Sequence, residues 1–331
     1  MARNVFVTGG SGFIGGRLIR RLVADGDSVR ALARSDAAAA RVAELGAQPV
    51  RGELGDTASI HNGATGCELA FHAAATVVDW GPRELFMQGN VDGTRSALEG
   101  CREAGVRRFV HVGTEAALLA GKPLHQVNED GLLRPDSKAD YASTKALGER
   151  LVRGANRGRF ETVVVRPRLV WGPGDTTILP GVAEAVRSKQ FLWVDGGRHL
   201  TSTTHVDNVV EGLVLAGARG AAGAAYFITD GEPVVFREFM TELAATSGIE
   251  LPNKSIPRPV AGFAAAASEA IWRTLKLKGK PPVTRMAYWL TAFETTIDIS
   301  RARAELGYTP VRTIADGMAE LRGAGTAGTS T

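Results

Sequence analysis

Three glycines spaced three residues apart, Gly9, Gly12 and Gly15, constrain the fold more than any other feature of this chain. They follow the apolar run Val5–Val7, which predicts a short buried strand, and they precede apolar residues at helical spacing. Glycines between a strand and a helix let backbone N–H groups approach a pyrophosphate, because no side chain fills the space. The pattern predicts a dinucleotide-binding turn, although a tight strand–helix turn alone would use the same glycines.

Strand and helix patterns then alternate along the chain. Further strands are predicted over 29–33, 48–51, 68–72, 108–112, 162–165 and 225–228, and helices over 84–104, 141–155 and 206–218. This alternation predicts an α/β fold, a doubly wound parallel sheet of the Rossmann type with a smaller C-terminal substrate domain. The predicted dinucleotide-binding domain spans 1–168 and is rejoined by about 204–230. The substrate domain is assigned to 169–203 and 231–322, followed by a flexible tail over 323–331.

Composition excludes several classes of protein. The 331 residues carry 39 Lys+Arg and 35 Asp+Glu, a net charge of +4 spread too thinly for a nucleic-acid partner. Cys67 and Cys101 have no CxxC partner and the six histidines lack metal-ligand spacing, so no metal site is expected. His205 and Asp207 open a predicted helix, which Asp207 is expected to cap. The first residues do not resemble a signal peptide, and a cytoplasmic protein is expected.

The end of the second predicted strand bears on the choice of cofactor. Ala33 stands where an NAD site usually carries an acidic residue, and Arg34 follows it. A guanidinium at this place can pair with a 2′-phosphate, although Arg34 could equally be a solvated strand end. Asp36 lies late for a substitute acid. The sequence therefore favours NADP(H), with NAD(H) possible.

Tyr141 and Lys145 stand four residues apart on one face of a predicted helix. A phenol is a poor base at neutral pH. A neighbouring ammonium group, with the positive ring of a nicotinamide close by, favours the phenolate and makes proton exchange with an alcohol feasible. Thr114 follows the strand over 108–112, at the carboxyl edge where such sheets place ligands. The three residues predict a site for alcohol or ketone chemistry.

Taken together, these residues resemble the extended short-chain dehydrogenase/reductase family, which includes NAD(P)-dependent epimerases and dehydratases. The resemblance runs from Val5 to about Leu321. It also includes Phe71–Ala75, Asn90–Thr94 and the Arg166–Asp175 stretch. Within the family, the stretches Val78–Pro82, Arg166–Asp175 and Thr203–Asn208 are similar to the 3-beta-hydroxysteroid dehydrogenase/isomerase branch.

The resemblance implies a role for each matching residue. Tyr141 would be the acid/base, Lys145 its partner, and Thr114, in place of the more usual serine, would orient the substrate oxygen. His72 replaces an asparagine often found there. The implied cofactor-binding residues are Gly9, Gly12, Phe13, Ile14, Gly15, Arg34, Glu53, Leu54, His72, Ala73, Ala74, Asn90, Tyr141, Lys145 and Pro167. The implied substrate-binding residues are Trp80, Thr114, Arg168 and Trp171.

The function implied is hydride transfer between NADP(H) and a bulky apolar secondary alcohol or ketone of the 3-beta-hydroxysteroid or 2-alkyl-3-keto acid type. The alternative is a sugar-nucleotide epimerase or dehydratase with tightly bound NAD. The expected partner is a small apolar molecule, and a homodimer is possible. The apolar face over 260–275, followed by Lys276, Lys278 and Lys280, fits a helix packed on the substrate domain or a lid with, at most, peripheral membrane contact.

Overall fold

The computed structural model describes residues 2–327. The strands in that range are β1 (Asn4–Thr8), β2 (Ser28–Ala33), β3 (Gln48–Arg51), β4 (Leu69–His72), β5 (Arg108–Val112), β6 (Leu124–Val127), β7 (Glu161–Pro167), β8 (Val170–Trp171), β9 (Trp193–Val194), β10 (Leu200–Thr201), β11 (Thr204–His205), β12 (Ala225–Ile228), β13 (Val234–Val235), β14 (Ser255–Ile256) and β15 (Thr295–Ile297). The helices are α1 (Phe13–Ala24), α2 (Asp36–Glu44), α3 (Thr57–Ala64), α4 (Arg83–Met87), α5 (Gly93–Glu103), α6 (Asp140–Gly154), α7 (Ile178–Arg187), α8 (Val206–Arg219), α9 (Phe236–Ala245), α10 (Arg258–Thr274), α11 (Arg285–Ala292) and α12 (Ile314–Ala327).

Seven parallel strands form the large sheet, in the order β12-β7-β5-β4-β1-β2-β3. The predicted Rossmann-type α/β fold is confirmed. The chain winds outward from β1 through β2 to β3, and then returns to β4 and winds the opposite way through β5, β7 and β12. The direction therefore reverses between β1 and β4, where sheets of this kind bind ligands at their carboxyl edge.

Both faces of the sheet are buried, as β1 illustrates. Val5 and Val7 point into one core, with Leu18 of α1 and Leu213 of α8, whereas Phe6 points into the core on the opposite face. Alternate side chains of a strand face opposite sides, and helices cover both sides of a parallel sheet. The apolar run after the start of the chain is therefore continuous rather than alternating.

The predicted boundaries agree closely with the structure in the large sheet and less well elsewhere. The helix predicted over 84–104 consists of α4, a π-helical turn at Gln88–Asp92, and α5. A second sheet, β13-β10-β15-β6, combines three strands of the C-terminal half with β6, which lies between β5 and α6 in the chain. The helices α9, α10 and α11 belong to the C-terminal part. Helix α12 continues to Ala327, so part of the segment predicted as a tail is helical, and its last residues lie outside the described range.

The expected capping of α8 by Asp207 is wrong. His205 is the N-cap, and its Nδ1 accepts a hydrogen bond from the Asp207 backbone N–H at 3.2 Å. The Asp207 carboxylate instead accepts two hydrogen bonds from the Arg17 guanidinium, at 2.5 and 2.9 Å, and one from Arg312. Asp207 is the second residue of α8 rather than its N-cap, and its carboxylate is taken by a bidentate guanidinium, which binds both oxygens at once.

None of the helices within residues 2–327 is both long enough and apolar enough to cross a membrane.

Candidate active site

The glycine turn brings three stretches of backbone into close contact at the start of α1. Gly9 has a φ of +74°, and a Cβ atom there would lie 2.5 Å from the Ala74 backbone nitrogen. A Cβ atom on Gly15 would lie 2.1 Å from the Gly9 carbonyl oxygen. Gly12 caps α1 with no side-chain hydrogen bond, so the first N–H groups of the helix have no capping side chain. This side-chain-free cradle at a helix N-terminus fits the diphosphate of a dinucleotide.

Two guanidinium groups lie at the carboxyl edge of β2 and β3. Ala33 is buried and Arg34 is exposed, and Arg34 forms no ion pair with any residue in the range 2–327. Arg51 is the β-sheet partner of Ala33 and pairs with Asp36 at 3.2 Å. Arg51 was not among the predicted cofactor-binding residues. Its position as the last residue of the strand paired with β2 is the sequence signal that could have found it.

Thr114, Tyr141 and Lys145 meet at the end of β5. The Lys145 ammonium group is buried and donates a hydrogen bond to the Val112 carbonyl oxygen at 2.8 Å. Burial lowers the pKa of Lys145 to about 8, against an opposing effect of the Glu149 charge. Tyr141 is half-buried, one helical turn before Lys145 on α6. The spacing along α6 and the end of β5 therefore bring the three predicted catalytic residues together.

Glu115 is a buried acid that the sequence analysis did not single out. Its Oε2 accepts a hydrogen bond from the Thr114 hydroxyl at 2.8 Å, and its Oε1 accepts one from Arg168 Nη1 at 2.6 Å. The Thr114 oxygen also accepts a bond from the Ala116 backbone N–H at 3.1 Å. Arg168 completes its bonds on Thr201, at 3.0 and 3.2 Å. The network fixes the Thr114 hydroxyl, with its proton directed to Glu115.

The protein groups around Tyr141 raise the pKa of its phenol, and the lowering expected from Lys145 together with a bound nicotinamide stays a prediction. Burial raises this pKa first, the Glu115 carboxylate raises it further, and the Thr114 hydroxyl offsets part of the rise. A buried phenolate loses hydration and a nearby negative charge repels it, so both effects favour the neutral phenol. The neutral phenol is therefore the favoured form of Tyr141 at neutral pH.

His72 and Asn90 support the centre of the site. The His72 ring is within hydrogen-bonding distance of the Thr8 and Thr94 hydroxyls, at 2.7 and 3.2 Å, and burial lowers its pKa to about 3. Its ring is therefore neutral at neutral pH. Asn90, in the π-helical turn, accepts a bond from the Thr76 backbone N–H at 2.8 Å and donates one to Thr144 at 3.1 Å. These bonds tie the loop after β4 to α6.

The remaining predicted cofactor residues lie around the same edge. Phe13 and Ile14 form the first turn of α1, Ala73 and Ala74 follow β4, and Pro167 ends β7. Glu53 and Leu54 follow β3, where Glu53 is exposed and Leu54 is half-buried. All of these positions follow the strand ends or open α1, and their contact with a cofactor stays a prediction.

The predicted substrate residues separate into two groups. Trp80 is half-buried beside the catalytic helix, with the Arg273 guanidinium 4.9 Å from its ring centroid. Trp171 is fully buried, and its indole N–H bonds Asp230 at 2.8 Å. Arg168 is also buried and bonded to protein groups. Only Trp80 and Thr114 keep surface that a substrate could contact without rearrangement, and the roles of Arg168 and Trp171 stay predictions.

Helix α10 and the segment up to Lys280 lie over Trp80, and we call them the cover. Arg273 of α10 also pairs with Asp140, the residue before Tyr141, at 2.6 Å. Beyond α10, Lys280 pairs with Asp79 at 3.0 Å. Asp140 and Arg273 were not predicted, because the contact between them joins positions far apart in the chain.

Comparison with known proteins identifies the family. The model of the 3-beta hydroxysteroid dehydrogenase/isomerase family matches residues 6–258, and the chain belongs to that family. It is 47% identical to the 4-hydroxy-2-methyl-3-oxo-4-farnesyl-3,4-dihydroquinoline-1-oxide ketoreductase of Stigmatella aurantiaca, over 98% of this chain and 97% of the relative. It is 35% identical to a 2-alkyl-3-oxoalkanoate reductase of Stenotrophomonas maltophilia (strain K279a), over 96% and 98% of the two chains.

The fold is shared with solved structures of dinucleotide-binding enzymes. The dTDP-glucose 4,6-dehydratase DesIV of Streptomyces venezuelae, with NAD bound, superposes with a TM-score of 0.76 at 23% identity, over 96% of this chain and 95% of DesIV. That likeness concerns the fold alone. The family membership makes this chain an NAD(P)-dependent dehydrogenase or reductase that acts on hydroxyl or keto groups.

Proposed function

We propose that this protein reduces a bulky apolar ketone to a secondary alcohol with NADPH, and that Tyr141 donates the proton. The substrate class is a 3-keto compound of the 3-beta-hydroxysteroid or 2-alkyl-3-keto acid type. The observation that carries the proposal is the group formed by Thr114, Tyr141 and Lys145 at the carboxyl edge of the sheet, with burial and Glu115 keeping Tyr141 protonated.

The proposed mechanism gives each residue a separate task. When bound, the nicotinamide supplies the hydride that reduces the carbonyl carbon. Tyr141 donates its phenolic proton to the carbonyl oxygen, which becomes the hydroxyl of the product. The buried Lys145 ammonium group stabilises the phenolate that is left, because opposite charges attract strongly where water is excluded. Thr114 positions the substrate oxygen beside Tyr141 by turning its hydroxyl proton from Glu115 to that oxygen, because a carbonyl oxygen can only accept a hydrogen bond.

The cofactor preference rests on the carboxyl edge of β2 and β3. Arg34 is exposed and forms no ion pair within the described range, and Arg51 lies on the neighbouring strand. Two guanidinium groups provide charge and hydrogen-bond donors for a 2′-phosphate. Asp36, the nearest acid after β2, pairs with Arg51. These positions support NADP(H) over NAD(H).

The names of the relatives support the substrate class. The Stigmatella relative is named for a ketone that carries a farnesyl chain, and the Stenotrophomonas relative for 2-alkyl-3-oxoalkanoates. Both names describe ketones that carry a hydrocarbon substituent, farnesyl in one and alkyl in the other. The predicted homodimer stays a prediction, since the structure contains one chain.

A hydride-transfer assay tests this proposal. Purified protein is given NADPH or NADH with steroid ketones, 2-alkyl-3-keto acids and nucleotide sugars, and nicotinamide absorbance is followed. We expect turnover of the apolar ketones with NADPH. Tyr141→Phe should lower turnover about a hundredfold or more, the usual effect of losing acid–base catalysis, with unchanged NADPH affinity.

Tyr226→Phe is the matched control, because Tyr226 lies in β12 and bonds Glu305. We expect it to leave turnover unchanged. Full turnover in Tyr141→Phe would remove Tyr141 from the mechanism. Protein that purifies with stoichiometric NAD and acts on nucleotide sugars would establish the epimerase or dehydratase alternative.

A further inference from the structure

The outer face of α10 carries an apolar stripe exposed to solvent. Val260, Phe263, Ile271 and Leu275 are 54%, 76%, 47% and 64% exposed. At helical spacing these four side chains fall within about a third of the circumference. Most surface apolar residues are scattered singly, so four large apolar side chains on one face, from Val260 to Leu275 at the C-cap of α10, indicate a surface that binds something.

The packing of α10 does not require this stripe. Ala261, Ala265 and Glu269 are buried on the opposite face. The Glu269 carboxylate pairs with Arg285 of α11 at 2.7 Å and accepts a hydrogen bond from its backbone N–H. The helix is therefore held to the protein by its inner face, and its outer face is available to a partner.

Along residues 258–280 the charges are almost all positive, and the acids that pair with some of them come from other parts of the chain. Between residues 258 and 280 the only acid is the buried Glu269, whereas Arg258, Arg273, Lys276, Lys278 and Lys280 are cationic. Arg258, Arg273 and Lys280 pair with acids of the protein. Lys276 and Lys278 are exposed and form no ion pair within residues 2–327, and Leu277 between them is 42% exposed.

We propose that α10 and the segment up to Lys280 dock in the plane of a lipid bilayer that contains anionic lipids. An apolar stripe with lysines beside it matches the boundary between acyl chains and anionic headgroups. A second copy of the chain fits less well. A two-fold contact through this face would bring Lys276 and Lys278 against residues 258–280 of the other copy, which offer no exposed acid to pair with them.

The inner side of the same element reaches the candidate active site. Arg273 contacts Trp80 and pairs with Asp140, next to Tyr141. Docking would therefore place the cover of the site at the lipid surface, where a ketone with a long apolar chain is concentrated. This consequence rests on the proposed function, whereas docking itself can be measured without turnover.

Vesicle co-sedimentation of the full chain tests the proposal. The probes are large vesicles of phosphatidylcholine alone and of phosphatidylcholine mixed with phosphatidylglycerol, at low and high salt. We expect binding to the anionic vesicles that high salt weakens. Phe263→Glu should weaken this binding about tenfold or more, because the aromatic group that docking would bury in the bilayer is lost. Lys276→Gln and Lys278→Gln should each weaken it about fivefold.

Leu132→Glu and Lys189→Gln are matched controls, because both residues are exposed and lie outside α10 and the lysine segment. Neither should change binding. Absence of sedimentation at low salt, or equal losses in the controls, would overturn the proposal. So would a dimer detected by light scattering that Phe263→Glu dissociates. Retained vesicle binding without ketone reduction would instead contradict the proposed function and leave the docking surface intact.

Discussion

The ion pair at the carboxyl edge of the large sheet is buried, whereas the ion pair between the cover and α6 is partly exposed. At the edge, Glu115 and Arg168 are both buried and paired at 2.6 Å. In the cover, Arg273 pairs with Asp140 at 2.6 Å, but its side chain is 47% exposed. A buried pair is costly to break, whereas an exposed pair contributes about 0–1 kcal/mol. In the proposed mechanism, the proton transfer would therefore take place on a rigid edge of the sheet, and the substrate would enter beneath ion pairs that cost little to break.

The largest expected difference is in the free energy of unfolding, when Arg168 at the edge or Arg273 in the cover is replaced by an uncharged residue. Arg168→Met leaves the Glu115 carboxylate buried without its counter-charge, so the free energy of unfolding should fall by about 3–5 kcal/mol. Arg273→Met should lower it by no more than about 1 kcal/mol. Urea denaturation of both variants measures the difference. Similar losses of unfolding free energy in the two variants would show that the two ion pairs stabilise the fold alike, and would contradict the comparison.

At the cofactor side of the edge, we expect Arg34 to contribute to the binding of NADP(H) through its 2′-phosphate and not to the binding of NAD(H). Arg34→Ala should weaken NADP(H) binding by about 1.5–3 kcal/mol, the range for hydrogen bonds to charged groups, and leave NAD(H) binding unchanged. Isothermal titration with both cofactors measures this. Arg41→Ala is the control, since Arg41 is exposed on α2 and pairs with Glu44. Equal weakening of both cofactors would mean that Arg34 does not read the 2′-phosphate.

Beneath the cover, we expect substrate binding to strengthen as the apolar chain of the ketone is lengthened. In a homologous series of ketones, each added methylene should strengthen binding by about 0.8 kcal/mol until the pocket is filled. Trp80→Ala should flatten that series without altering NADP(H) affinity, whereas Trp80→Phe should keep most of it. Measured KM values along the series give the slopes. If KM does not change along the series in the unmodified protein, the proposed apolar pocket is contradicted.

The smallest expected effect is a shift in pH dependence at the edge. Oxidation of an alcohol requires Tyr141 as phenolate, so its rate should rise with pH. The Glu115 charge raises the pKa of Tyr141, and Glu115→Gln should therefore lower that pKa and move the rise to lower pH. Glutamine keeps an acceptor for the Thr114 hydroxyl. Rate profiles of oxidation against pH measure the shift, and an unchanged profile with reduced stability would reduce Glu115 to a structural role.

The large sheet followed closely from the sequence because its signals are local. Strands over 48–51, 108–112 and 225–228 were predicted with the bounds that the structure shows for β3, β5 and β12. Turn glycines and residues one helical turn apart are also local signals, so Gly9, Gly15, Tyr141 and Lys145 were found without tertiary contacts. The capping of α8 was predicted incorrectly because Arg17, far away in the chain, takes the Asp207 carboxylate.

By itself, the sequence determined the dinucleotide fold, the family and the three residues at the end of β5. The tertiary structure decided the direction in which burial and Glu115 shift the pKa of Tyr141, the partner of Glu115 and the outward direction of the α10 stripe. Glu115 and Arg168 are 53 residues apart and meet only because β5 and β7 are neighbours in the sheet. Spacing along a helix or strand identifies which side chains share a face, whereas burial and charge pairing depend on what packs against that face.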